Sequence, residues 1–209
     1  MLASKTAAVA ETPVVRSTIL KSFLSVVCSW PVTELVDLGP VIGSNVTFLG
    51  ERVGCKIHVE DLYADLDRHA QQGALDRFPG FLETRFPLPE GSIDGVLCWD
   101  VFDYLDPPAA SVLAGELMRV LRPAGALLAF FGTSGPRDLR YTKYIIEDEE
   151  HLRYRFYGTA CSLPRVLQNR DIVRLFDRLD VSDSVLLKSG VREILFRKPA
   201  PLPRHQSIV

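Results

Sequence analysis

Asp37 ends the apolar run Leu35-Val36 and is followed at alternate positions by Gly39, Val41 and Gly43. An acid and bare backbone at such a turn can meet the polar groups of a small ligand, and a helix starting there adds the partial positive charge of its first N–H groups. Glu60 closes the next short run, Lys56-Ile57-His58-Val59. A carboxylate at that strand end can accept hydrogen bonds from both hydroxyls of an adenosine ribose. Trp99-Asp100 closes a third run that begins at Ile93. Asp100, Asp103, Tyr104 and His151 could each act as a base toward an acceptor that must lose a proton. None has a spacing that singles it out, and His151 follows three consecutive acids, as surface histidines do, so no catalytic residue is assigned.

Strands and helices must hold these groups in place. Leu20, Phe23, Leu24 and Val27 give a helix within Ser17 to Trp30 one apolar stripe. Thr33 to Val36 reads as a strand buried on both faces. Ser44 or Asn45 is expected to cap the next helix, with Val46, Leu49 and Val53 inward. A short strand over Lys56 to Asp61, ending in two acids, and a helix from Leu62 to about Gln72 follow. Phe81 to Thr84 is expected to be a short third strand. Ile93 to Trp99 and Ala126 to Phe131 flank a helix that opens on Pro107-Pro108, where a missing N–H costs nothing. Asn169 is expected to cap a helix carrying Ile172, Leu175, Phe176 and Leu179. Val181 to Leu187 and Val191 to Arg197, joined by Lys188-Ser189-Gly190, can only form an antiparallel hairpin. Alternating strands and helices with this ending predict a mostly parallel sheet closed by an antiparallel strand.

The chain of 209 residues, 47% hydrophobic and 24% charged, is long enough for one core. We expect a flexible tail over 1–15, one domain over 16–198 and a flexible tail over 199–209. Residues 132–164 are an insertion whose tyrosines either cover a ligand or pack on the sheet. The net charge of −2 gives little electrostatic reason to expect nucleic acid or an anionic membrane. Cys28, Cys55, Cys98 and Cys161 are too scattered to indicate a metal site or a disulfide framework, which suits reduced thiols in the cytoplasm.

Three further stretches add to the Asp37 turn and Glu60. Phe86-Pro87-Leu88-Pro89-Glu90-Gly91-Ser92-Ile93-Asp94 leads into the strand ending at Trp99-Asp100, Val101 to Leu105 follows it, and Leu121-Arg122-Pro123-Ala124-Gly125 ends the next helix. With these motifs the chain, from about Ser17 to Lys198, resembles the class I S-adenosylmethionine-dependent methyltransferases. The resemblance implies an α/β, Rossmann-like fold: a seven-stranded, mostly parallel sheet with an antiparallel last strand and helices on both faces. It implies S-adenosylmethionine as cofactor, with Asp37 and Gly39 near its methionine part, Val41 and Gly43 also among the cofactor-binding residues, Glu60 at the ribose, Glu83 or its neighbours near adenine, and Trp99 and Asp100 at the mouth of the transfer site.

Two positions depart from the family pattern. Val41 replaces the middle glycine, and Leu82 replaces the acid after strand three, leaving Glu83 one residue along. Two readings follow: methyl transfer to a small-molecule acceptor, or a methyltransferase-like binding or regulatory protein without transfer chemistry. A nicotinamide-dependent enzyme is disfavoured by the terminal hairpin and the missing third glycine.

Overall fold

The computed structural model describes residues 14–133, 140–160 and 165–200. In chain order its elements are β1 (Val14–Arg16), α1 (Thr18–Val27), β2 (Thr33–Asp37), α2 (Gly43–Thr47), β3 (Cys55–Val59), α3 (Leu62–Gln71), α4 (Phe78–Arg85), β4 (Ile93–Trp99), α5 (Pro107–Val120), β5 (Leu121–Gly132), β6 (Arg140–Ile146), β7 (His151–Gly158), α6 (Asn169–Leu175), β8 (Asp180–Leu186) and β9 (Val191–Arg197). Six strands form the central sheet in the order β3-β2-β4-β5-β9-β8. β3, β2, β4 and β5 run parallel, and β9 is antiparallel to both β5 and β8.

Every residue of β4 is buried, because the strand lies mid-sheet under helices on both faces. One face packs Leu66, Leu82, Leu113 and Leu117 from α3, α4 and α5. The other packs Phe23, Leu24 and Val27 of α1. Gly95 is the point of closest approach: a Cβ there would lie 2.7 Å from Leu35 Cδ2 and Val27 Cγ1 and 2.8 Å from Phe23 Cζ. Gly95→Ala is therefore expected to destabilise the fold by about 1–3 kcal/mol through overpacking, read as a lower urea midpoint with unchanged slope.

Some motif residues serve the scaffold. Asp94, buried in β4, pairs with Arg122 at 2.5 Å and accepts the Glu34 backbone N–H at 2.6 Å. The Arg122 guanidinium lies 3.6 Å from the centre of the Trp30 ring. This ties the turn after α5 to β4 and to the loop before β2.

A second, three-stranded antiparallel sheet has the order β1-β7-β6. Most of it lies within the 132–164 insertion; we refer to it as the cap. Its strand β1 comes from the other end of the chain, so Val14 and Val15, expected in a tail, pair with Arg153 and Leu152. The rest of that tail, residues 1–13, lies outside the described residues, as does 201–209 of the C-terminal one. Ser17, just after β1, caps α1 by accepting the Leu20 N–H at 3.0 Å, and its hydroxyl donates to Glu193 Oε2 at 2.7 Å. Glu193 is wholly buried on β9, and its Oε1 has no hydrogen-bond partner among the described residues. Burial pushes this carboxyl up to about 7, against the pull of the Ser17 bond.

The central sheet has six strands among the described residues, where seven were expected. The expected third strand, 81–84, lies inside helix α4. Pro79 sits in its first turn, and Phe78 and Leu82, four apart, share its buried face. Neither helix cap falls as expected. Ile42 precedes α2 and Gln168 precedes α6, neither with a side-chain cap bond. α2 runs on into a π-helical turn, Phe48–Arg52, which turns Phe48 and Leu49 inward and leaves Val46 exposed.

Candidate functional site

Three acids stand at the carboxyl ends of three neighbouring parallel strands: Asp37 on β2, Glu60 just past β3 and Asp100 just past β4. In an open α/β sheet this edge is where ligands bind. The backbone places them well: Glu60 N–H donates to Asp37 O at 2.8 Å and Leu38 N–H to Leu97 O at 2.9 Å, extending the ladder to the turn.

Asp37 is buried. Its Oδ1 accepts the Gly39 N–H at 2.9 Å and the Trp99 indole N–H at 2.6 Å. Burial outweighs both bonds and lifts the carboxyl to about 6. The indole itself lies against Gly39, where a Cβ would be 2.8 Å from both Trp99 Cδ1 and Nε1. Trp99 holds this place with φ of +51°, a left-handed conformation costly for a bulky residue.

The other side of the indole is covered by the cap. Tyr144 of β6 stacks on Trp99 with ring centres 5.2 Å apart and planes 4° from parallel, and Phe130 of β5 meets it edge-on at 5.6 Å. Tyr63 of α3 donates to Asp100 Oδ1 at 2.6 Å and packs against Tyr104 and Tyr141. Burial and the Asp100 charge raise both Tyr63 and Tyr144 well above the ordinary tyrosine range, so both hydroxyls stay protonated.

Among the side chains that fasten the cap, two make several bonds each. Asn45 Nδ2 donates to Tyr144 O at 2.8 Å and its Oδ1 accepts Ile146 N–H at 2.8 Å. One carboxamide thereby takes the place of a neighbouring strand along the edge of β6. Asp67 Oδ1, on α3, accepts from Tyr141 OH at 3.0 Å and from Thr159 Oγ1 and Ala160 N–H at 2.9 Å.

Glu60 is held by Arg85 at the end of α4. The guanidinium pairs with the Glu60 carboxylate, donates to its backbone O at 3.3 Å, and reaches Asp65 Oδ2 at 2.9 Å. Arg85 escaped the sequence reading because its helix was expected to be a strand. Glu83 is on the exposed side of that helix, not at a strand end. Val41 does not fill the space above Gly39: it is 66% exposed, and a Cβ at Gly43 would meet no described atom within 4 Å. Of the candidate bases, Asp103 accepts Gly132 N–H at 2.7 Å, Tyr104 donates to Arg140 O at 2.9 Å, and His151 pairs with Asp148 at 2.9 Å on the exposed cap turn. The structure thus brings Asp37, Gly39, Trp99 and Asp100 together, with Glu60 along the same edge, and leaves Val41, Gly43 and Glu83 facing outward.

Carboxylates, a bare turn and tyrosine rings suit an adenosine sulfonium ligand in kind. They do not fit it in space in this conformation, since the indole occupies the niche over Gly39 and the Asp37 and Glu60 carboxylates are already engaged.

Residues 36–129 match the family model described as a methyltransferase domain. No curated protein matches the chain. Among solved structures, a Methanosarcina mazei S-adenosylmethionine-dependent methyltransferase is 14% identical with a TM-score of 0.53, over 88% of this chain and 98% of its own. The Burkholderia thailandensis 1,6-didemethyltoxoflavin N1-methyltransferase, bound to 1,6-didemethyltoxoflavin and S-adenosylhomocysteine, is 17% identical with a TM-score of 0.55, over 87% and 77%. The glycopeptide N-methyltransferase MtfA with S-adenosylmethionine is 14% identical with a TM-score of 0.51, over 95% and 100%.

Proposed function

We propose that the chain is a class I S-adenosylmethionine-dependent methyltransferase and methylates a small-molecule acceptor at the carboxyl edge of β2, β3 and β4; the methyltransferase-domain match over residues 36–129 and the shared fold support this reading. The observation that carries this reading is the alignment of Asp37, Glu60 and Asp100 on three adjacent parallel strands around the Gly39 turn. S-adenosylmethionine, when bound, would supply a methyl group already activated on a sulfonium. The chain's task is then alignment, which supplies most of the rate in such a transfer. The chain's free thiols, Cys28, Cys55 and Cys98 among the described residues, support a reducing compartment such as the cytoplasm. Its slight negative charge supports small molecules over nucleic acid as partners.

Calorimetry with S-adenosylhomocysteine tests the reading. Binding is expected, and Glu60→Ala is expected to weaken it by about 1–3 kcal/mol, the worth of hydrogen bonds to a charged acceptor. Absence of heat at high micromolar ligand, with folded protein, overturns it. The indole over Gly39 favours a second reading, a binding or regulatory protein on a methyltransferase scaffold. Tight S-adenosylhomocysteine binding, followed by methyl transfer from S-adenosylmethionine to any acceptor in a small-molecule panel, would exclude that one.

A further inference from the structure

We propose that the three-stranded cap is a lid over Asp37, Gly39 and Asp100, latched shut by Asn45 and Asp67. The inference deepens the donor-site reading above and rests on it for the ligand. Tyr144 sits on the cap and Trp99 on the central sheet, and their stack fills the niche. A ligand reaches Gly39 only when the indole leaves, and the indole leaves only when Tyr144 lifts. Tyr144 is held at its backbone by Asn45, which reaches across from α2. The far end of the hairpin is held by Asp67, which gathers three donors from the cap and the residues just after it. Neither latch lies in the niche.

A lid of this kind lowers apparent affinity by the fraction of molecules that are open. Removing a latch therefore has the opposite sign to removing a binding residue. Asn45→Ala and Asp67→Ala are each expected to speed association of S-adenosylhomocysteine about tenfold and to tighten it by a similar factor, since each loses hydrogen bonds that hold only the closed state. Stopped-flow tryptophan fluorescence in a Trp30→Phe background, which leaves Trp99 as the reporter, reads the rate. Hydrogen exchange without ligand reads the lid directly. Amides of β6 and β7 are expected to open well before those of β4 and β5, and both variants are expected to speed the former alone. Equal association rates in wild type and variants, or cap amides that exchange only with β4 and β5, overturn the lid. Fast cap exchange without any S-adenosylhomocysteine binding would instead support the lid and overturn the donor reading. If one variant fails to fold, the other carries both measurements.

Discussion

Trp99→Ala is expected to lower folding stability by about 3–5 kcal/mol, the range for deleting a well-packed aromatic side chain. The indole is 2% exposed, stacks on Tyr144, meets Phe130 and supplies one of the two donors to the buried Asp37. All of that is lost together. The companion substitution gives the sharper result. Glycine in a strand is ordinarily worse than alanine by about 0.5–1 kcal/mol, because it has more freedom to lose. At position 99 the order is expected to invert, with Trp99→Gly more stable than Trp99→Ala, since φ is +51° and only glycine adopts that region without steric cost. Urea midpoints of the two variants decide it. The ordinary order would mean that this residue is not held in a left-handed conformation in solution.

Glu193→Gln is expected to leave stability almost unchanged near pH 4.5 and to raise it by about 3 kcal/mol at pH 8. The carboxyl is wholly buried, with only the Ser17 hydroxyl as partner among the described residues, and sits at about 7 in the fold against an ordinary 4.5. Below 4.5 it is protonated in both folded and unfolded chains, so burying it carries no charge penalty. Between 4.5 and 7 the unfolded chain releases its proton and the folded one does not, so stability falls as pH rises. Above 7 the loss is complete. The amide removes this slope while keeping an oxygen for Ser17. Denaturation curves at several pH values check it, and parallel curves for wild type and variant would show that Glu193 is solvated or otherwise paired.

The alternation of apolar runs and amphipathic stripes was enough to place the parallel strands, the terminal hairpin and the acids at the ends of β2, β3 and β4. Each of those features depends on local pattern, and the sheet realises them with small shifts in boundary. The third strand failed because four residues, 81–84, cannot show whether the period is two or 3.6. The deciding signal was further back, in Pro79 and in the spacing of Phe78 to Leu82. Arg85 was lost with it. Side-chain direction at the site was not legible at all: Trp99 was expected at the mouth of the cleft, and its ring lies instead on Gly39. The tyrosines of the insertion were read with two roles in balance. Tyr141 and Tyr144 take the packing role against Tyr63 and Trp99, and by doing so they cover the cleft as well.

The pairing of β1 with β7 sets an order of assembly during synthesis. Val14 meets Arg153, so the first described strand has no partner until nearly three quarters of the chain has left the ribosome. The βα units around β2, β3 and β4 need only their neighbours and can form while translation continues. The edge of the sheet that carries Asp37 and Glu60 thus emerges uncovered, and its shutter is fitted afterwards.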